Sequence, residues 1–203
     1  MYLFGAGGHA KVVIDILRAK DFRIEAVYDD APQTARLLDI PVLPSPSGVF
    51  DIPSGCIISI GDNHARKRVS ERLRVKFLTA IHPRAVVSPY AGVGEGSVIM
   101  AHAVVGPAAE VGMHCIINTG AVVEHDCRIG DFVHISPGAV LAGGVTAGEG
   151  AHVGTGAAVI QGVTIGRWAV IGAGAVILRD VPDHAVVAGN PGKIIKLNPD
   201  EQT

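Results

Sequence analysis

In the stretch "AVVEHDCRIG" (residues 121–130), Glu124, His125 and Asp126 stand side by side in a run of otherwise small and apolar residues. An imidazole near its ordinary pKa can take a proton from an attacking nucleophile. A neighbouring carboxylate can fix its tautomer and steady the imidazolium that forms. The acid must reach one ring nitrogen while the other faces the substrate. Charged turn residues ordinarily face water, so on chemistry alone two readings stand: a solvated turn, or a general base beside its orienting acid.

A second group with chemical potential opens the chain. "GAGGHA" places Gly5, Gly7, Gly8 and Ala10 in a G-x-G-x-x-A pattern between a strand-like and a helix-like segment, and Asp29 and Asp30 follow about twenty residues on. This is the dinucleotide fingerprint, in which helix N–H groups hold a pyrophosphate and an acid holds a ribose. A full dinucleotide domain needs two mononucleotide halves, and about 80 residues supply one. A tight turn without ligand is the alternative.

The elements that must carry these residues follow two grammars. Residues 1–80 alternate strand and helix. "MYLFGAG" reads as a strand into a glycine turn, and "GHAKVVIDILRAKD" as a helix with Val12, Ile16 and Ala19 on one face. "RIEAVYDD" and "GCIISIG" read as further strands, and "DNHARKRVSERLR" as a capped, charged surface helix. The order implies a small parallel sheet. Asn63 and Arg66 in that last helix are weak candidates for ligand contact, since helix-start Asn and surface Arg are common.

From Ala85 to Asp180 the chain divides into sixteen uninterrupted hexads, AVVSPY, AGVGEG, SVIMAH and onward. The third position is Val, Ile or Leu in all but one, Ala147. Neither 3.6 nor 2 explains a period of six; a solenoid does. Three hexads close a triangular coil of 18 residues with the third position stacked inside. That geometry sets Gly143 one coil above His125, His134 under His152, and Asn118 under Ser136. "DVPDHAVVAGNPGKIIK" reads as an end cap. The expected division is an α/β segment over 1–80 and a β-helix with its cap over 81–203.

Composition excludes several classes. Net charge is −2 with few aromatic residues and no basic run, which argues against nucleic acid. No apolar run approaches membrane-spanning length, and the opening residues lack the pattern of a signal peptide. Three cysteines without a CxxC pair suit a reducing, cytoplasmic setting rather than a disulfide frame or a zinc knuckle. Cys115 and Cys127 fall at first hexad positions, as small packing residues. His82 reads as structural, and His102 and His114, at sixth positions, as solvated.

Taken together, "FGAGGHAK", "YDD", "IGDNHARK", "IHPRA", "VVEHDCRIGDFVHISPGAVLAGGV" and "VAGNPGKIIK" resemble one bacterial family over nearly the whole chain. It is the hexapeptide-repeat sugar acetyltransferases, which include sialic acid O-acetyltransferases and bacillosamine-type nucleotide-sugar N-acetyltransferases. The resemblance implies a Rossmann-like head followed by a left-handed parallel β-helix. It also implies a homotrimer with acetyl-CoA between neighbouring helices, and no metal. It makes His125 the base and Asp126 its partner; relatives often carry Glu there, which leaves Glu124 as a substitute for the shorter Asp. His134 and Gly143 would meet the acetyl-CoA thioester arm, and Asn118 would line the same pocket. Lys193 and Lys196, in the closing segment, read either as contacts for the CoA phosphates or as an exposed tail. Gly7, Gly8 and His9 would face the phosphates of a nucleotide-sugar, with Asp29 and Asp30 near its base or ribose. The implied reaction is N-acetylation of a UDP- or GDP-linked 4-amino-4,6-dideoxy sugar; O-acetylation of sialic acid or a related sugar is the alternative. A zinc-dependent β-helix enzyme would need three converging imidazoles, whereas the helix histidines here lie 12, 11, 9 and 18 residues apart. A passive trimeric scaffold with a nucleotide-sensing head is the remaining rival.

Overall fold

The computed structural model describes residues 1–198; the last five residues of the expected second segment, 199–203, lie outside the described residues. The head is built from β1 (Tyr2–Phe4), α1 (Gly8–Arg18), β2 (Ala26–Asp29), β3 (Arg36–Leu37), β4 (Ile40–Pro44), β5 (Phe50–Asp51), β6 (Cys56–Ile58), α2 (Asn63–Arg72) and β7 (Leu73–Arg74). Its sheet runs in the order β3-β4-β2-β1-β6, parallel except for the β3–β4 hairpin. The strands are short and nearly continuous in apolar residues, as suits a parallel sheet covered on both faces.

α1 buries Ala10, Val13, Ile14, Ile16 and Leu17, while Val12 remains 40% exposed. The expected face through Val12, Ile16 and Ala19 is therefore rotated. The 10, 13, 14, 17 stripe keeps the i, i+3, i+4, i+7 spacing and meets two partners at once. One is Leu3 and Val27 of the sheet; the other is Ala80, Val98 and Ile116 on the outer side of the first β-helix face. The head is thus seated on the lower coils of the helix.

From Ala80 the chain winds a three-sided parallel β-helix in two-residue strands. Each strand pairs with the one 18 residues on, as in Val98↔Ile116, Val104↔Val122 and Glu110↔Arg128. The interior is one column of small first-position and aliphatic third-position side chains, from Ile99 to Val187. Most corners turn at the sixth position with positive φ. Gly takes many of these positions; Asp126, at φ 60°, holds one at the cost of a left-handed conformation that Asp tolerates better than most. An antiparallel hairpin, Ala185–Ala188 with Lys193–Leu197, ends the first face.

The outer sides of the three faces differ. The first carries Ala80, Val98 and Ile116 beneath the head, then His134 and His152. The second carries Val86, Val104, Val122, Val140, Ala158 and Val176, an unbroken apolar row. The third carries Gly92, Glu110, Arg128, Thr146 and Thr164.

Candidate active site

His125 stands at a prism corner, at the fifth position of its hexad, with an exposed ring. Its Nδ1 lies 2.7 Å from Asp126 Oδ2. That hydrogen bond, with the smaller attractions of Asp126 and Glu124, raises the imidazole pKa above its ordinary value. Glu124 does not reach the ring: its carboxylate accepts a weaker 3.4 Å bond from the His125 backbone N–H. The shorter acid therefore suffices, because the left-handed backbone at Asp126 turns its side chain back toward the imidazole.

The other edge of the ring lies over Gly143. A Cβ on that glycine would stand 2.5 Å from both Nε2 and Cε1 of His125. The 18-residue ladder is maintained here, with Gly144 N–H donating to the His125 carbonyl at 2.9 Å. Among the described residues the Gly143 N–H meets no acceptor, so a donor free to meet developing negative charge lies beside the imidazole. Above it the corner carries Gly144 and Gly162, with the exposed Gln161 one coil above Gly143. It becomes apolar at the exposed Ile160 and Leu178 and ends in a cleft of about 400 Å³ that includes Arg179 and Lys193.

A second polar cluster occupies the junction of head and helix. Asn118 Nδ2 lies 3.0 Å from His134 Nε2, and one coil higher Ser136 Oγ lies 2.9 Å from His152 Nε2. The two rings stack at 4.8 Å. Burial is the main cause that pushes His134 down to about 3 and His9 to about 4, and the Arg66 cation adds to both. These imidazoles are neutral across the physiological range. His134 and Asn118 stand on a different edge of the prism from His125. A single chain therefore keeps His125 and His134 apart, and a pocket holding both would have to lie between neighbouring helices.

The glycine turn borders a third site. Gly7 caps α1 without any side-chain cap, Gly7 and Gly8 are exposed, and a Cβ on either would meet nothing within 4 Å. Together with His9, Asp29, Asp30 and the segment 59–61 they bound a cleft of about 330 Å³. The open N–H groups of α1 point to an anion. The two acids are not free as the fingerprint expects. Asp29 accepts from the Ala6 N–H at 2.7 Å and the Ala31 N–H at 2.9 Å, bracing the turn. Asp30 forms a two-pronged pair with Arg72 at 2.9 Å on each arm and also takes the Ser45 hydroxyl. The Arg72 guanidinium is what holds the Asp30 carboxyl below its usual range.

Two expectations are overturned by burial. His114 is enclosed rather than solvated, stacked on Phe132 at 5.2 Å and edge-on to Phe77 at 4.4 Å, because the segment leading into the helix covers that corner. α2 is not a plain surface helix, since Asn63 and Arg66 are buried with hydrogen bonds to the β-helix and Val69 is buried in the apolar core of the head. Their i, i+3, i+6 spacing was the available clue. Cys56, Cys115 and Cys127 are buried and unpaired. No group of three or more His, Cys, Asp or Glu among the described residues could hold a metal ion, and no described helix is long and apolar enough to cross a membrane.

Known proteins align with this arrangement. The family description "PglD N-terminal domain" matches residues 1–73, and "Bacterial transferase hexapeptide (six repeats)" matches residues 108–143. A perosamine N-acetyltransferase from Caulobacter crescentus, solved with CoA and GDP-perosamine, shares 41% identity and a TM-score of 0.89 over 96% of each chain. The chain belongs to the hexapeptide-repeat sugar acetyltransferases. Within that family, the acetyltransferase domain of PglB from Neisseria gonorrhoeae, solved with acetyl coenzyme A, is 40% identical with a TM-score of 0.87. That match covers 96% of this chain and 98% of that one. A UDP-N-acetylbacillosamine N-acetyltransferase of Bacillus subtilis is 46% identical over 108 residues; the match spans 49% of this chain and half of that protein.

Proposed function

We propose that the chain transfers the acetyl group of acetyl-CoA to the amine of a UDP- or GDP-linked 4-amino-4,6-dideoxy sugar. The observation that carries this reading is the His125 ring, held at Nδ1 by Asp126 and set at Nε2 against Gly143. The base site thus lies beside a free backbone donor. An amine must lose a proton as it attacks a carbonyl carbon, and Nε2 is placed to receive it. Asp126 stabilises the imidazolium, and the Gly143 N–H faces the growing charge on the carbonyl oxygen. Bound acetyl-CoA supplies the acyl group already activated as a thioester. The residues suit it: Gly143, Gly144 and Gly162 leave room for a thin arm beside the exposed Gln161, Ile160 and Leu178 offer apolar contact, and Lys193 and Arg179 offer charge for phosphates.

The glycine-turn cleft is assigned to the nucleotide-sugar, with the pyrophosphate at Gly7, Gly8 and His9 and with Asp29 and Asp30, which line the cleft, near its base or ribose. His134 and Asn118 are assigned to the thioester arm of acetyl-CoA. N-acylation is preferred over O-acylation of a sialic acid because the relatives at 41–46% identity whose names state the reaction are N-acetyltransferases of perosamine and of UDP-N-acetylbacillosamine. A homotrimer is inferred from the second face: its outer row is wholly Val and Ala, with Val86 63% exposed. A three-fold assembly would cover that row and set the His125 edge of one subunit against the His134 edge of the next. A cytoplasmic location is in keeping with three unpaired cysteines.

Thiol release from acetyl-CoA, screened against UDP- and GDP-linked amino sugars and free sialic acid, tests the assignment. Release with a nucleotide-linked amine supports it. Release with sialic acid alone would transfer it to O-acylation, and none with any of them would return the scaffold reading.

A further inference from the structure

Arg66 is 1% exposed, yet no carboxylate is among its hydrogen-bond partners. All five of its N–H donors are used. Nε donates to the His114 carbonyl at 2.8 Å, and one terminal nitrogen to the carbonyls of Ile60 at 3.0 Å and Gly61 at 3.1 Å. The other donates to Asn63 Oδ1 and the Phe132 carbonyl, each at 2.8 Å. His114 and Phe132 are corner residues of successive coils. Ile60 and Gly61 form one wall of the glycine-turn cleft. Asn63 extends the same contact one coil further, donating to the carbonyls of Gly150 at 3.0 Å and Ala151 at 3.3 Å.

A buried cation with no carboxylate hydrogen-bonded to it is costly, and burial lowers the Arg66 pKa to about 10 despite the nearby Asp62 charge. Only a rigid five-donor fork satisfies five oxygens from three separate segments; lysine offers three donors and a smaller reach. Anchoring a helix to a solenoid needs far less, since an apolar side chain would serve. What the fork adds is a fixed distance between the 60–61 wall and the coil corners.

We propose that Arg66 is a positioning residue for the nucleotide-sugar: it clamps the Ile60–Gly61 wall of the cleft to the β-helix corner, and the cleft keeps its binding width only while the clamp holds. The inference rests on the assignment of that cleft to the nucleotide-sugar.

The test is steady-state kinetics of the full chain carrying Arg66→Lys or Arg66→Met, with hydrogen exchange at residues 60–61 as a second readout. The Met variant should raise KM for the nucleotide-sugar by about tenfold or more, the scale of one or two lost hydrogen bonds, with KM for acetyl-CoA moved less than about twofold. The Lys variant should fall between it and the native enzyme, and exchange at 60–61 should accelerate in both. If the Met variant does not fold, Arg66→Lys and Asn63→Ala carry the test in the same direction. An unchanged nucleotide-sugar KM in Arg66→Lys, or a parallel rise in both KM values, overturns the proposal. Gly8→Val separates the two ideas: if it leaves nucleotide-sugar affinity intact, the cleft assignment fails. If it weakens affinity while Arg66→Lys does not, the clamp alone fails.

Discussion

Gly143, one coil above, lies so close to the His125 ring that a methyl group at its Cα would stand 2.5 Å from Nε2, the nitrogen assigned to take the substrate proton. The backbone there does not need glycine's conformational freedom; the imidazole needs the space. Gly143→Ala should therefore fold normally, displace the ring, and lower kcat by about 10²-fold, within the range a misplaced general base costs. A thermal melt beside a turnover assay checks both halves. Native turnover in this variant would remove the ring position from the mechanism.

His125→Ala should reduce turnover by roughly 10²–10⁴-fold without altering oligomeric state. The partner acid makes a sharper prediction. Asp126 raises the His125 pKa, so the acidic limb of the kcat/KM profile, which requires neutral imidazole, should lie above 6.5. In Asp126→Asn the raising hydrogen bond is lost. The limb should move to lower pH while the plateau falls about tenfold or more. A limb that stays in place would mean that a different group is titrating.

At the opposite end of the reaction, Gly8→Val projects a side chain into the glycine-turn cleft, where nothing lies within 4 Å of the new Cβ. Folding should be spared. Calorimetric titration should show nucleotide-sugar binding weakened by about tenfold or more, with acetyl-CoA binding unchanged. Equal loss of both ligands would contradict two separate sites.

Buried histidines fix the acid stability. His9 and His114 are lowered to about 4 and His134 to about 3, chiefly by burial. The unfolded chain takes up these protons near 6.5, before the folded chain can. Stability is therefore full above about 6.5 and falls as pH drops toward the folded values. Each group adds up to about 1.4 kcal/mol per pH unit to the slope. Urea midpoints at pH 7 and pH 5 should differ in that direction, in a window above most carboxylate titration.

The sequence makes the coil legible because its code is local: the third-position aliphatic column and the 18-residue stacking of His125 on Gly143 need only counting. The Asn118–His134 and Ser136–His152 pairs follow from the same count. Arg66 was not legible. Its five acceptors come from segments around 60, 114 and 132, and a polar helix composition conceals a buried guanidinium. For Asp29 and Asp30 the fingerprint records positions that do border the glycine-turn cleft. Their protein partners, the Ala6 N–H and Arg72, are chosen by the folded turn and by a helix more than forty residues on.

The uninterrupted hexads also make the β-helix a ruler. Three coils separate the His125 level from that of Arg179, and coils climb by about 4.8 Å each, so the reacting corner and the cationic cleft are held roughly 14 Å apart. The scale has no intermediate divisions. One inserted residue would turn every inward side chain above it outward, whereas eighteen would lengthen the span by one whole step. Natural or designed variants that accept a donor of different reach can change it only in such steps, or by moving the cap.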